Sequence, residues 1–158
     1  MSDEAKENEI LHIWQPSTFL KGKNPSQMVL VEVIRGNNHL KILFEDTFDN
    51  QVEIIYDQLM QPMEYFVWAF RHSTETGRYG LRFKEINDSG LISPDSPYFF
   101  KVSNSEFIKW FDDQNPLFNS KTYPNLEHHL YITGDEVFDV LSTYEPKIIE
   151  KNKSDLTT

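Results

Sequence analysis

Basic side chains in the middle of the chain form the most specific chemical pattern in the sequence. The five members of this set are Arg71, His72, Arg78, Arg82 and Lys84. If residues 78–86 form a strand, period-two alternation places the last three on one face, where like charges repel unless anions or acids compensate them. The pattern indicates either a site for an anionic ligand, with the histidine as acid or base, or a solvated face paired with acids on neighbouring strands.

The five histidines show no spacing that holds a metal ion in one structural element. His128 and His129 are adjacent, so on a strand they point to opposite faces and do not bind one metal from the same side. The others form no H-x-H, H-x-x-x-H or H-E-x-x-H pattern. We therefore predict no metal site and no cofactor, and a site assembled from distant residues stays open.

The sequence also contains none of the strong signatures of nucleophilic or phosphate chemistry. It has no G-x-S-x-G elbow and no glycine-rich phosphate loop, and it contains no cysteine. Many active sites are built from residues scattered along a chain, so the question of catalysis stays open. The pattern favours a protein without enzymatic activity.

A second set of residues predicts a surface for a protein partner. Its members are Trp14, Glu45, Asp46, Asp135, Glu136 and Asp139. The tryptophan lies beside Pro16 near a predicted sheet edge, where an exposed aromatic side chain would anchor a partner. The acids would attract a basic partner and accelerate its capture. Trp68 and Trp110 fall on apolar patterns and are expected in the core.

Length and charge limit the class of protein. A chain of 158 residues predicts one domain, which we place at residues 10–150 with a disordered lead-in at 1–9 and a disordered tail at 151–158. The net charge of −10 argues against nucleic-acid binding, and no apolar run approaches the length of a membrane span. The absence of cysteine fits a cytoplasmic location.

The first half of the chain predicts an antiparallel meander. Residues 27–35 are apolar on both faces, which favours a central strand covered on both sides. A turn at 36–38 leads to residues 40–44, and a second turn at 46–50 leads to residues 52–56, both alternating at period two. Residues 10–15 predict an edge strand, which is compatible with a homodimer but does not require one.

The middle of the chain predicts a longer hairpin, with residues 64–71 pairing against residues 78–86 across a polar loop. This hairpin would carry the predicted anion site.

Residues 98–116 and 128–146 align without a gap and share one order of signals. Each predicts a strand, a capping box, a short helix and a proline stop. The capping residues would be Ser103 with Glu106, and Thr133 with Glu136. Duplication and chance recurrence of a common pattern both stay open.

The sequence thus predicts an α+β fold, with a largely antiparallel, twisted sheet and two short helices packed on it. The predicted function is a non-enzymatic, cytoplasmic protein-interaction module, for example an immunity or inhibitor protein acting through acidic surface. The alternative is a small anionic-ligand-binding protein or hydrolase with its site over the hairpin at residues 64–86.

Overall fold

A computed structural model of the chain describes residues 9–14, 27–58, 67–74, 84–86 and 99–152, the segment 84–86 by its backbone only. These residues form ten strands and one helix. In chain order the elements are β1 (Ile10–Ile13), β2 (Met28–Arg35), β3 (Leu40–Asp46), β4 (Asn50–Tyr56), β5 (Ala69–Thr74), β6 (Lys84–Ile86), β7 (Phe99–Ser103), α1 (Glu106–Gln114), β8 (Glu127–Ile132), β9 (Glu136–Ser142) and β10 (Lys147–Asn152). The fold is therefore α+β, and β10 includes the first two residues of the segment predicted as a tail.

Four strands form an antiparallel sheet in the order β10-β4-β3-β2, which confirms the predicted meander. The first turn is closed by the Gly36 amide, which donates a hydrogen bond to the His39 carbonyl at 2.9 Å. The second turn is closed by Asp46, whose carboxylate accepts the amide hydrogens of Phe48 at 2.8 Å and Asn50 at 2.9 Å. Local turn chemistry thus fixes the register of the meander.

The expected central position of residues 27–35 is wrong, because β2 is an edge strand of this sheet. Its side chains Val29 and Val31 are 49% and 48% exposed, and Ile34 is 37% exposed. An apolar run on both faces is typical of a buried strand, but here it leaves apolar side chains in contact with solvent.

Six strands form the second sheet, in the order β5-β9-β8-β7-β1-β6, with the β1–β6 pair parallel and the other pairs antiparallel. The predicted edge strand at residues 10–15 is instead β1, which lies between β7 and β6. The segment therefore has a neighbouring strand on each side, and the possible homodimer stays a prediction.

The described parts of the hairpin predicted over residues 64–86 do not pair with each other, and residues 64–66 and 75–83 lie outside the described residues. The strands β5 and β6 lie at opposite edges of the six-stranded sheet. All six residues of β5 pair with β9, from Ala69 opposite Leu141 to Thr74 opposite Glu136. A pairing between distant segments thus prevails over the local hairpin.

The helix α1 confirms the first of the two predicted helices, with its cap shifted by two residues. Ser105, not Ser103, is the N-cap, since its side chain accepts the Ile108 amide hydrogen at 2.9 Å. Asn104 takes the left-handed conformation with φ of 53° and turns the chain from β7 into the helix. Phe107 is buried as expected, whereas Trp110 is 56% exposed, so its predicted place in the core is wrong.

The second predicted helix is wrong, because residues 136–142 form β9. Thr133 accepts the Glu136 amide hydrogen at 3.1 Å, as in a capping box, but Gly134 and Asp135 form a two-residue hairpin turn between β8 and β9. The β-branched run after the turn pairs with β8 on one side and β5 on the other. Pairing with two neighbouring strands therefore makes residues 136–142 a strand and not a helix.

The main core lies between the two sheets. From the four-stranded sheet it includes Ile42, Phe44 and Ile54, and from the six-stranded sheet Phe99 and Val140. The helix α1 packs on the opposite face of the six-stranded sheet, where Phe107 meets Leu126 and Leu141. Within the described residues, no helix has the length and apolar character needed to cross a membrane.

Candidate functional site

His128 and His129 occupy the middle of the six-stranded sheet, on β8. Their exposed fractions are 1% and 0%, and they face opposite sides of the sheet as period two predicts. His128 faces α1, and its ring contacts Phe107 edge to face at 5.7 Å. His129 faces the space between the sheets, stacked on Trp14 at 4.7 Å. Each histidine is the centre of a separate polar cluster.

The His128 cluster consists of Ser105, His128, Asp139 and Arg71. The Ser105 hydroxyl lies 2.7 Å from His128 Nδ1, and His128 Nε2 lies 2.6 Å from Asp139 Oδ1. Arg71 Nε donates to Asp139 Oδ2 at 3.0 Å. If the serine donates to Nδ1 and Nε2 carries the ring proton, every hydrogen bond has one donor and one acceptor. The cluster then links the start of α1 to the strands β5, β8 and β9.

Asp139 is the buried charge of this cluster. Burial favours its protonated form, but the hydrogen bonds from His128 and Arg71 outweigh that effect and lower the pKa of Asp139 to about 2. The carboxylate is therefore ionised at neutral pH and balanced by the Arg71 guanidinium.

The order of groups in the His128 cluster is that of a Ser-His-Asp triad, in which histidine removes the proton of a serine nucleophile. Ser105, however, is only 5% exposed, and its oxygen already accepts the Ile108 amide hydrogen. A substrate carbonyl has no open approach to this hydroxyl. We infer that the cluster is structural and fixes α1 on the sheet.

The His129 cluster lies on the other face of β8. The Tyr56 hydroxyl is 2.7 Å from His129 Nδ1 and also bonds to the hydroxyl of Tyr131. His129 Nε2 has no hydrogen-bond partner among the described residues, and the nearest carboxylate, Glu127, is 3.9 Å away. That distance is too long for a hydrogen bond, so Glu127 would attract His129 only if the ring were protonated.

The pKa values in this cluster follow from burial and from a row of charges at its rim. Burial lowers the pKa of His129 and raises those of Tyr56 and Tyr131, so all three are neutral at neutral pH. At the rim, His129 and Lys101 lower the pKa of Glu127 to about 2 against the effect of partial burial. Lys101 lies 2.9 Å from Glu127 and 2.8 Å from Glu145.

Neither cluster has the composition of a metal centre. Across the part of the chain that the structure describes, no group of three or more His, Asp or Glu side chains is placed to hold a metal ion. In each cluster the histidine nitrogens face a hydroxyl or a single carboxylate instead.

The predicted anion site is not assembled as expected. Arg71 and His72 lie on β5 and each faces an acid: Arg71 binds Asp139, and His72 Nε2 is 3.1 Å from Glu136. Lys84 lies in β6 at the opposite edge of the sheet, so it does not share a site with them. Arg78 and Arg82 lie outside the described residues.

The predicted partner surface also separates into buried and exposed members. Trp14 is half-buried and not a fully exposed anchor, because its ring stacks on His129 and lies 5.1 Å from Lys101 Nζ. Asp46 and Asp139 are buried, one in a turn and one in the His128 cluster. Glu136 pairs with His72, and Glu45 is half-buried on the outer face of β3. Asp135 is exposed in the β8–β9 turn.

Sequence reasoning missed Ser105, Tyr56 and Tyr131 as partners of the two histidines. Their separations along the chain, 23 residues for Ser105–His128 and 73 for Tyr56–His129, leave no local signal. It also missed the exposed side of β2.

We name this surface the β2 edge and define it by Val29, Val31 and Ile34. The strand is irregular, because its register with β3 shifts between Leu30 and Glu32 and leaves Val31 as an extra residue. Among the described strands, none pairs with the outer side of β2. An apolar edge strand of this kind offers both backbone hydrogen-bonding groups and apolar contact.

Three comparisons of the chain, with protein-family models, with curated proteins and with solved structures, find no match.

Proposed function

We propose that the chain is a non-enzymatic protein-interaction module that binds its partner along the β2 edge. The observation that carries this proposal is the exposure of Val29, Val31 and Ile34 on an edge strand. Proteins usually protect such edges with lysine, proline, inward-pointing charge or a β-bulge, and β2 combines a bulge with exposed apolar side chains. A partner strand added here would gain main-chain hydrogen bonds and cover apolar side chains in one step.

The acids around the β2 edge support a basic partner. Glu32 lies within the strand with its side chain 46% exposed, although Lys41 lies 3.6 Å from it, and Glu45 lies opposite Val29 in the register of β2 and β3. The β8–β9 turn, which carries exposed Asp135, reaches β2 through a hydrogen bond from the Gly134 amide to the Met28 carbonyl at 3.3 Å. With a net charge of −10, the chain attracts cationic proteins at long range.

The two internal clusters support a binding role rather than a catalytic one. In the His128 cluster the hydroxyl, imidazole and carboxylate bond to one another, and in the His129 cluster the imidazole lies beneath Trp14. These groups stabilise the fold from inside, whereas the β2 edge faces solvent. A cytoplasmic inhibitor or immunity protein that captures a basic target fits this division, and the absence of cysteine fits that compartment.

The experiment compares three forms of the protein as bait in a lysate of the source cells. The edge variant carries Val29→Asp and Val31→Asp, and the control carries Ile149→Asp on β10, the opposite edge of the same sheet, where Ile149 is 42% exposed. We expect the wild type and the control to retain the same basic protein at low salt and release it at high salt. The edge variant should retain at least about tenfold less, because a buried carboxylate opposes strand addition.

Retention by the edge variant equal to that of the wild type would contradict the proposal, as would the absence of a stoichiometric protein at low salt. Sedimentation of the wild type without lysate gives the remaining outcome. A dimer that the edge variant abolishes would mean that a second copy of the chain occupies the β2 edge, and the proposed basic partner would be wrong.

A further inference from the structure

A cleft lies between the edge strand β5 and the helix α1, on the other sheet from the β2 edge. It has a volume of about 340 Å³ and is lined by Ala69, Phe70, Arg71, Phe107 and Trp110. Pockets for small ligands usually begin at about 300 Å³ and combine apolar walls with a few fixed polar groups. We name this feature the α1 cleft.

The walls of the α1 cleft are aromatic and fixed by packing. Phe107 is buried and holds Trp110 at 5.8 Å between ring centroids, with the rings inclined by 32°. Phe70 lies between Ala69 and Arg71 on β5, but its ring stacks on Phe138 on the other face of the sheet, so the aromatic walls are Phe107 and Trp110. Trp110 itself is 56% exposed, so one large aromatic face is open to a ligand. Such walls favour a flat, apolar group of one or two rings.

The polar group of the α1 cleft is the Arg71 guanidinium. Its Nε and Nη2 atoms bond to Asp139, at 3.0 and 3.5 Å, and its Cζ lies 4.3 Å from the centroid of the Phe107 ring. These contacts fix the plane of the guanidinium while its Nη1 atom makes no hydrogen bond to the described residues. The cleft thus presents oriented N–H donors that have no acceptor of their own in the described part of the chain.

The aromatic walls and the oriented guanidinium together indicate the chemical class of the ligand. Asp139 balances the charge of Arg71, so an anion gains less from charge than at a free arginine and needs apolar contact as well. A carboxylate on an aromatic ring provides both, because it accepts charge-assisted hydrogen bonds and its ring covers apolar surface.

We propose that the α1 cleft is a binding site for aromatic carboxylates, with the ring against Trp110 and the carboxylate at Arg71. This site is separate from the β2 edge and goes beyond the proposed protein-binding function.

Isothermal titration of the full chain with 1-naphthoate tests the site. We expect saturable binding with a dissociation constant of about 1 mM or lower, the range that a ligand of this size reaches with ordinary efficiency. The neutral analogue 1-naphthalenemethanol should bind about tenfold more weakly, because it lacks the charged acceptor.

Two variants locate the binding. Trp110→Ala removes the exposed ring, and Arg71→Lys keeps the charge but loses the planar donor pair, so each should weaken naphthoate binding about tenfold. The control Phe118→Ala removes another exposed aromatic side chain that does not line the cleft, and it should bind as the wild type does. Thermal unfolding of each variant shows whether it is folded. Because Trp110 is exposed, we expect Trp110→Ala to fold, and it tests the site even if Arg71→Lys does not fold.

Absence of saturable binding to the wild type would overturn the proposal. So would equal affinity of the wild type and Trp110→Ala, or equal affinity of the two ligands. The β2 edge variant should bind naphthoate like the wild type, so failure of the α1 cleft and failure of the proposed function give different results.

Discussion

At the scale of single residues, Asp139 is a buried carboxylate that connects side chains from two other strands. It is fully buried and receives hydrogen bonds from His128 on the next strand and from Arg71 on β5. A buried carboxylate is stable only with such partners, and removal of the charge leaves the cation unbalanced. Asp139 is therefore a stability residue and not the surface residue that its charge suggested.

Replacement of this carboxylate should be costly. We expect Asp139→Asn to lower the free energy of unfolding by about 3 kcal/mol, because Arg71 and His128 lose their charged acceptor. The matched control is Asp135→Asn, four residues away in an exposed turn, which should change stability by less than about 0.5 kcal/mol. Urea denaturation of both variants measures the difference, and equal effects would contradict the assigned role of Asp139.

The same carboxylate predicts an acid dependence. The pKa of Asp139 is about 2 in the folded chain against an ordinary 3.8, so the unfolded chain takes up the proton first as pH falls. Its stabilisation is complete above about pH 5 and is lost as pH falls through about 2, a loss of about 2 kcal/mol. Glu127 acts in the same direction but is partly exposed and screened by solvent.

The stability gap between the wild type and Asp139→Asn should therefore narrow by about 2 kcal/mol between pH 5 and pH 2. Denaturation at a series of pH values measures it. A gap that stays constant across this range would show that the Asp139 carboxylate is not the titrating group.

At this scale the sequence predicts which side of a strand a side chain faces, but not which residues it bonds to. Adjacency predicts opposite faces for His128 and His129 on a strand, and they do face opposite sides of β8. Their hydrogen-bond partners come from β4, β9 and the loop before α1, and no local spacing reports these contacts. For the same reason the sequence predicts an exposed Trp14, whereas the side chain is half-buried against His129.

At the scale of elements, the start of α1 is the most informative boundary. Ser103 and Ser105 both fit the residue preference of an N-cap, and only Ser105 has the geometry. Ser103 instead bonds to His12 Nε2 at 2.7 Å. Replacement of the two serines should therefore lower the free energy of unfolding by different amounts.

Replacement of Ser105 by alanine should lower the free energy of unfolding by about 2–3 kcal/mol. The loss of the cap contributes about 1 kcal/mol, and the unpaired nitrogen of buried His128 contributes about 1–2 kcal/mol. Ser103→Ala removes one hydrogen bond and should cost about 1 kcal/mol or less. Urea denaturation ranks the two variants, and a larger effect at Ser103 would contradict the assigned cap.

Elements that depend on neighbouring residues were predicted, and those that depend on distant ones were not. The turns at residues 36–39 and 46–50 are closed by hydrogen bonds between neighbouring residues, so the meander follows from the sequence. The segment at residues 136–142 fits both a capped helix and a strand, and its pairing with β5 and β8 decides between them. In the predicted hairpin at residues 64–86, the described strands β5 and β6 lie at opposite edges of the sheet, and β5 pairs with the distant strand β9.

At the scale of the whole molecule, the two sheets bury their shared core and leave two edges with different chemistry. The β2 edge is apolar and flanked by acids, whereas the α1 cleft beside β5 carries Arg71 next to the aromatic rings of Phe107 and Trp110. Alternation along a strand does not report sheet order, so neither surface was predicted from the sequence. The net negative charge does follow from the sequence, but it is a property of the whole molecule and does not locate a surface.

The position of the acids predicts the kinetics of partner capture. Glu32→Lys with Asp135→Lys, beside the β2 edge, should slow association with the captured basic protein at least about tenfold at low salt. The control Glu106→Lys with Asp113→Lys changes the total charge equally on exposed positions of α1 and should slow it less. Stopped-flow association at several salt concentrations measures both, and equal slowing would mean that only the total charge matters.

The most direct test of the central claim is amide hydrogen exchange of β2 in the free chain and in the complex with the captured protein. The outward amides of an unpaired edge strand exchange rapidly, and strand addition would protect them. We predict that residues 28–35 gain at least about tenfold protection on binding, while β10, the other edge of the same sheet, does not change. Protection at other surfaces with β2 unchanged would contradict the proposed function.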